Sequence, residues 1–390
     1  RALAKLGVGI VTGGGPGLME AANRGVRDAH NGTSKSDGLP IDQVAFRTFG
    51  APRAPREEIR PDVLRIELIG GDVVFGSVLD GTLDDLGLES AIASGPVRFS
   101  LDAIRQVVSP EVWGSASKTF HVASPSDRDT VFIRTRGGLD RVTGELGSVE
   151  KGGVRFTWGD KQESIFTFAK DRVVAVRLSG GDEPAIQPGV RATCHGRDGS
   201  VLSGILTRKA NAAPTLDLGR GVLITLREEA LVAISFKGAT FDHLSDLVPL
   251  EIKETPYLEG DRLHGISRDA NLVGGRVTIG DEFFPKAVEA HSRAEITYSL
   301  DGRYASFSVA FGVDGATSSR QVRGAVAFQV LVDGKPRSEP VIARSGEAPR
   351  RWEAVDLSGA KTLTLRADFA DNFHFNGWAA FGSGLLLKKL

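Results

Sequence analysis

The sequence predicts a mainly β protein: three small barrel repeats of the Sm or SH3 type, then a jelly-roll-like β-sandwich, behind a short βα segment at the amino end. Three observations carry that expectation. Glycine makes up 48 of 390 residues against a usual ~7%, while Met19 is the lone methionine, which favours many short strands joined by tight turns. Between residues 62 and 240 one strand–turn–strand pattern recurs three times. From 241 to 390, strand-like runs are spaced by Asp-Gly and related turn signals. At about 100–200 residues per domain, the length predicts two to four domains. The balance of 48 Lys+Arg against 49 Asp+Glu leaves no global field to draw in nucleic acid or an anionic membrane. Cys194 stands alone, so neither an intrachain disulfide nor a cysteine zinc site can form. No apolar run reaches the 18 residues of a membrane-spanning helix. The chain opens on Arg1, which suggests a fragment or a processed product that has lost any signal peptide.

The first segment, 1–46, reads as strand, glycine loop and helix. Val8-Gly9-Ile10-Val11-Thr12 is the strand, and Gly13-Gly14-Gly15-Pro16-Gly17 follows at once. Leu18, Ala22, Val26 and Ala29 then mark one helical face, with Glu20 near its positive start and Asn31-Gly32 as its stop. This order aims free backbone N–H groups at one point and suits a phosphate, so Gly13, Gly14, Gly15, Gly17 and Glu20 are the candidate phosphate-binding set. The run from Val11 to Gly25 resembles the LOG family, Rossmann-like phosphoribohydrolases of nucleoside 5′-monophosphates. That family also uses a P-G-G-x-G-T-x-x-E segment carrying a catalytic glutamate, and no Pro-Gly-Gly occurs here. One βα unit cannot bury both faces of a parallel sheet, so the segment reads as a remnant without that activity.

Residues 47–61, with Pro52, Pro55 and Pro61 among arginines, read as a linker. The repeats follow. Arg65–Ile69 leads through Gly70-Gly71 to Val73–Val78, Val131–Thr135 through Gly137-Gly138 to Asp140–Leu146, and Val190–Cys194 through Asp198-Gly199 to Val201–Leu206. Each is two strands about a turn that accepts positive φ. Gly76, Gly144 and Gly204 fall five or six residues past the turns, where an interior glycine marks a bend or bulge. The units, about 62–109, 128–180 and 188–238, are too small to bury much alone and are expected to pack together. They carry no basic stripe with exposed aromatics, so they are expected to act as spacer or scaffold and to leave nucleic acid alone.

In the last segment, 241–390, Glu295–Leu300 and Tyr304–Phe311 flank Asp301-Gly302, a type I′ hairpin signal. Phe307, Val309 and Phe311 share a face, and Tyr304 joins it only through a bulge. Val326–Val332 closed by Asp333-Gly334, then Val355–Leu357 and Thr362–Ala367, complete a sandwich pattern. His243–Leu247, Glu254–Tyr257, Ala290–Tyr298, Phe307–Asp314, Phe328–Lys335 and Val355–Lys361 together resemble the NPCBM family of carbohydrate-binding modules. Phe375–Phe381 departs from that family's D-H-x-D-W-A-D stretch and keeps only Trp-Ala. Sugar modules stack aromatic faces on C–H groups and surround them with polar side chains. Trp378, Trp352 and Tyr257 are therefore the candidate platform, with Asp314, His291, Arg293 and Asn376 as polar partners. The bland alternative is that sandwich aromatics are core and His291 is a turn residue.

No H-E-x-x-H, G-x-S-x-G, Walker loop or EF-hand spacing occurs, so no catalytic residue, metal or cofactor is expected. The expectation is a non-catalytic protein that binds carbohydrate or polysaccharide through its carboxyl-terminal module. The alternatives are a LOG-type phosphoribohydrolase and an adhesion or scaffold protein. The module's resemblance implies export to the periplasm or cell surface; the amino-terminal one implies the cytoplasm if that segment is native.

Overall fold

The computed structural model describes residues 62–109, 127–136, 138–159, 162–168, 172–181, 191–207, 213–238, 240–258, 263–318, 320–371 and 373–389, with the backbone of strands 9–11 and 44–48. As expected, it is mainly β, built from several sheets. Strand β1 (Gly9–Val11) pairs in parallel with β2 (Val44–Thr48). The candidate phosphate residues Gly13, Gly14, Gly15, Gly17 and Glu20 lie outside the described residues. Arg47 and Thr48, the first two residues of the expected linker, belong to β2, and the rest of that stretch up to Pro61 is also outside them. The chain divides into two compact units, 55–234 and 235–390 together with 1–54.

The repeats fold alike. The first comprises β3 (Val63–Leu68), β4 (Val73–Gly81), β5 (Asp85–Glu89), β6 (Val97–Ser100) and β7 (Ile104–Val108). The second comprises β8 (Asp129–Thr135), β9 (Gly138–Glu150), β10 (Gly153–Trp158), β11 (Gln162–Thr167) and β12 (Val173–Arg177). The third comprises β13 (Arg191–Gly196), β14 (Val201–Thr207), β15 (Thr215–Gly219), β16 (Val222–Thr225) and β17 (Leu231–Phe236). In each, the first four strands form an antiparallel meander and the fifth returns to pair with the first. That is the strand order of a small barrel, but among the described residues the sheets do not close. The second edge of β7 pairs with β12, through Ala175 opposite Val108 and Arg177 opposite Gln106, so the edges that would seal the first two repeats bind each other.

The three interior glycines share one physical reason. A Cβ on Gly76 would lie 2.8 Å from the Glu89 carbonyl oxygen, on Gly144 2.0 Å from that of Thr157, and on Gly204 2.3 Å from that of Asp217. Each permits a neighbouring strand to approach where the sheet bends. The first and third repeats also join: Val73 bridges Val201, Phe75 N–H donates to Ser200 Oγ at 3.0 Å, and Ser203 N–H donates to Asp72 Oδ2 at 2.8 Å. Burial at this junction pushes the Asp72 carboxyl up to about 6, although the Ser203 hydrogen bond and the nearby Arg191 charge pull the other way.

The sandwich begins with β18 (Phe241–His243), β19 (Glu251–Glu254), β20 (Ile266–Arg268), the small hairpin β21 (Thr278–Ile279) and β22 (Glu282–Phe283), and β23 (Ala287–His291). It continues with β24 (Ala294–Ser299), β25 (Tyr304–Val313), β26 (Ala325–Val332), β27 (Lys335–Pro336), β28 (Val341–Arg344), β29 (Arg350–Asp356), β30 (Thr362–Phe369) and β31 (Trp378–Lys388). One sheet runs β20-β23-β31-β25-β29 with β18 against β31; the other runs β19-β24-β30-β26-β27 with β28 against β26. Between them Phe311, Phe328 and Phe381 interlock at centroid distances of 5.1 and 5.4 Å, joined by Tyr298, Tyr304 and Phe307. Each such ring stabilises the fold by roughly 1.5–3 kcal/mol through burial. Asp301 and Gly302 both have positive φ, as the type I′ turn requires, and a register shift after Tyr304 brings that ring into the core.

Candidate functional site

One end of the sandwich gathers four stretches that are distant in sequence. They are the residues after β19 (Thr255–Tyr257), Leu263 and His264 before β20, the turn His291–Arg293 between β23 and β24, and His374 before β31. Backbone hydrogen bonds fix them: Thr255 N–H to Arg293 O at 3.0 Å and Ser292 N–H to Gly377 O at 2.8 Å. Gly265 N–H donates to Glu254 Oε2 at 3.0 Å. Gly377 lies tight against this turn, since a Cβ there would sit 2.1 Å from Ser292 Oγ. Together these residues enclose an open cleft of about 180 Å³.

Its walls are flat rings. Tyr257, 41% exposed, stacks on His374 at 4.8 Å and 24°, and meets Phe369 and Phe373 edge-on at 5.3 and 5.7 Å. His374 stacks in turn on Phe375 at 4.5 Å. On the other side His264 and His291 lie nearly parallel, 4.5 Å apart, with His291 Nδ1 2.6 Å from the Ser292 carbonyl oxygen. Arg293 Nε is 3.4 Å from Asp368 Oδ1, and both side chains remain substantially exposed. The arrangement offers π faces edged by imidazole, guanidinium and carboxylate groups. Among the described residues no set of three His, Cys, Asp or Glu side chains is placed to hold a metal ion.

The seven candidates from the sequence separate. Tyr257, His291 and Arg293 meet in the cleft. Trp378 pairs across the strands with His291 but is only 8% exposed, with the Arg320 guanidinium 4.9 Å above its ring. Asn376 accepts from Arg320 Nη1 at 3.0 Å and donates from Nδ2 to Val322 O at 2.7 Å, beside Trp378 rather than in the cleft. Trp352 does not join them. It sits on β29, three strands across from β23, stacked on the buried Phe311 at 3.8 Å. Asp314 is fully buried, its oxygens accepting from Thr278 N–H at 3.0 Å and Ala316 N–H at 2.7 Å. It organises the loop after β25, and burial raises its carboxyl even though those hydrogen bonds lower it. Nearby Glu289 is also fully buried. Loss of hydration, then the Asp314 charge, push its carboxyl well above the ordinary range.

Sequence reasoning missed His264 and His374, which with His291 give the cleft three of the chain's seven histidines. The run Phe373-His374-Phe375, aromatic on both sides of an imidazole, was a signal for one of them. His264 carries no comparable local pattern, and only the fold brings it to His291.

Residues 242–385 match the model of the NPCBM/NEW2 domain, which supports a carbohydrate-binding module over that stretch. A protein of Renibacterium salmoninarum named "Putative endo-alpha-N-acetylgalactosaminidase" is 25% identical over 130 residues, 33% of this chain and 8% of its own length. The chain therefore spans a small part of that relative. Among solved structures, the CBM51 module of Clostridium perfringens GH95, in complex with methyl-galactose, is 21% identical. It covers 38% of this chain and 99% of its own, with a TM-score of 0.33. The CBM51-2 and INT domains of Clostridium perfringens ZmpB, in complex with GlcNAc, are 22% identical over 45% of this chain and 36% of theirs, with a TM-score of 0.34.

Proposed function

We propose that the module at 241–390 binds carbohydrate in the cleft between Tyr257 and the His264–His291 pair. The observation that carries this reading is the juxtaposition of an exposed Tyr257 ring with imidazole, Arg293 and Glu254 side chains around one opening. A pyranose places C–H groups on a ring face and hydroxyls at its rim, and this wall is complementary to both. The cleft is smaller than the ~300–1,000 Å³ of sites that enclose drug-sized ligands, which favours one sugar ring over a long chain segment. In this reading Tyr257 is the stacking platform and His291, Arg293, His264 and His374 are the polar partners. The repeats at 62–240 act as spacer or scaffold, the chain is non-catalytic, and its place of work is outside the cell. Among the described residues no helix is long and apolar enough to cross a membrane.

Calorimetric titration of the full chain with galactose, N-acetylgalactosamine and N-acetylglucosamine tests the proposal. At least one is expected to bind below millimolar concentration, and Tyr257→Ala is expected to weaken it about tenfold. Absence of heat at millimolar levels of all three sugars, or an unchanged affinity in Tyr257→Ala, removes this cleft as the site.

A further inference from the structure

Trp378 stands opposite His291 in the β23–β31 ladder, so the two side chains leave the same face of the sheet. His291 lines the cleft, and the indole lies directly beside that wall. The ring is only 8% exposed, and part of its cover is mobile in kind: Arg320, itself exposed, lays its guanidinium 4.9 Å above the ring and donates one hydrogen bond to Asn376 Oδ1. A planar cation on an indole face occupies the position in which a sugar ring would stack, and such a contact at the surface is weak enough to be exchanged.

We propose that Trp378 is a second carbohydrate subsite, for the ring adjoining the one in the Tyr257 cleft, with Arg320 as its displaceable cover. This rests on the carbohydrate reading of the cleft, but the cover can be tested without any sugar. The ligand class is an oligosaccharide of at least two rings, whose second pyranose exchanges with the guanidinium plane. Asn376, released from Arg320, then has its amide oxygen free to accept from a sugar hydroxyl.

Acrylamide quenching of tryptophan fluorescence in the full chain reads the cover. Arg320→Ala is expected to raise the quenching constant about twofold, and Arg320→Ala with Trp378→Phe to return it to the original value. Arg320→Lys, which keeps the charge but loses the plane, should fall between. Titration with methyl-galactose and with lactose reads the subsite: Arg320→Ala should tighten lactose about fivefold and leave methyl-galactose within about twofold. Unchanged quenching in Arg320→Ala overturns the cover, and equal changes for the two sugars overturn the subsite. Should neither sugar bind any variant, the subsite is overturned, while the three-sugar titration still decides the cleft and quenching still decides the cover.

Discussion

The repeats and the sandwich are both stacks of short antiparallel strands with some polar side chains buried, yet the sandwich adds a gathering of such groups around an opening. In the repeats the notable polar groups are buried or half-buried and tie strands together: Asp72 to Ser203, Ser200 to Phe75, and Gln106 Nε2 to Glu67 Oε2 at 2.6 Å. They also leave apolar residues such as Leu83 and Leu223 exposed, which is ordinary for a folded surface. The sandwich instead collects rings and titratable groups at one open end, around Tyr257 and His374. Polar residues inside a sheet stack cement it, whereas the same residues on loops held by a rigid scaffold are free to recognise something else.

The largest effect that would sharpen this contrast lies in the sandwich core. Phe328→Ala should cost about 3–5 kcal/mol in denaturant unfolding, because the ring touches Phe311 and Phe381 and the site cannot collapse around the loss. Next comes the junction of the repeats. Asp72 holds its proton to about pH 6 when folded but releases it near 4 when unfolded, so its own contribution to stability is fully present below pH 4 and is lost as pH rises through 6. The decline should reach roughly 3 kcal/mol in melts between pH 4 and 7, and Asp72→Asn should flatten it while keeping an acceptor for Ser203. A slope unchanged by that substitution would break the cementing role. Glu289→Gln is the sandwich counterpart. Its carboxyl is raised in the same direction, so the substitution should stabilise the protein at neutral pH and lessen the loss of stability on going from acid to neutral pH. The smallest effect separates two aromatics of the sandwich itself. Trp352→Ala should lower the melting temperature yet leave sugar affinity within about twofold, in contrast to Tyr257→Ala. Equal affinity losses in the two variants would erase the distinction between core ring and cleft ring.

Much of the architecture was legible because it is written in local chemistry. Gly71, Gly138 and Gly199 mark hairpins through the positive φ they adopt, and Gly76, Gly144 and Gly204 mark the points where strands crowd. The bulge that returns Tyr304 to the core was foreshadowed by a break in alternation between Tyr304 and Phe307. The site was less legible, since composition does not say which ring faces water. Trp352 and Tyr257 carry equal aromatic promise as letters, but one meets Phe311 and the other meets an opening. His264 gains its meaning only from a neighbour 27 positions away, His291. Barrel closure failed as an expectation for a similar reason: which strand takes the spare edge of β7 is decided by the next repeat, not by the repeat itself.

That shared edge has a consequence for how the protein could be taken apart. Because β12 is laced to β8 on one side and to β7 on the other, severing the chain between the first two repeats would strip both halves of a partner. Each half would carry a row of bare amide and carbonyl groups, ready to clump with its own kind. Gene shuffling would therefore have to move the pair whole, and a truncation series would find its viable stops outside it.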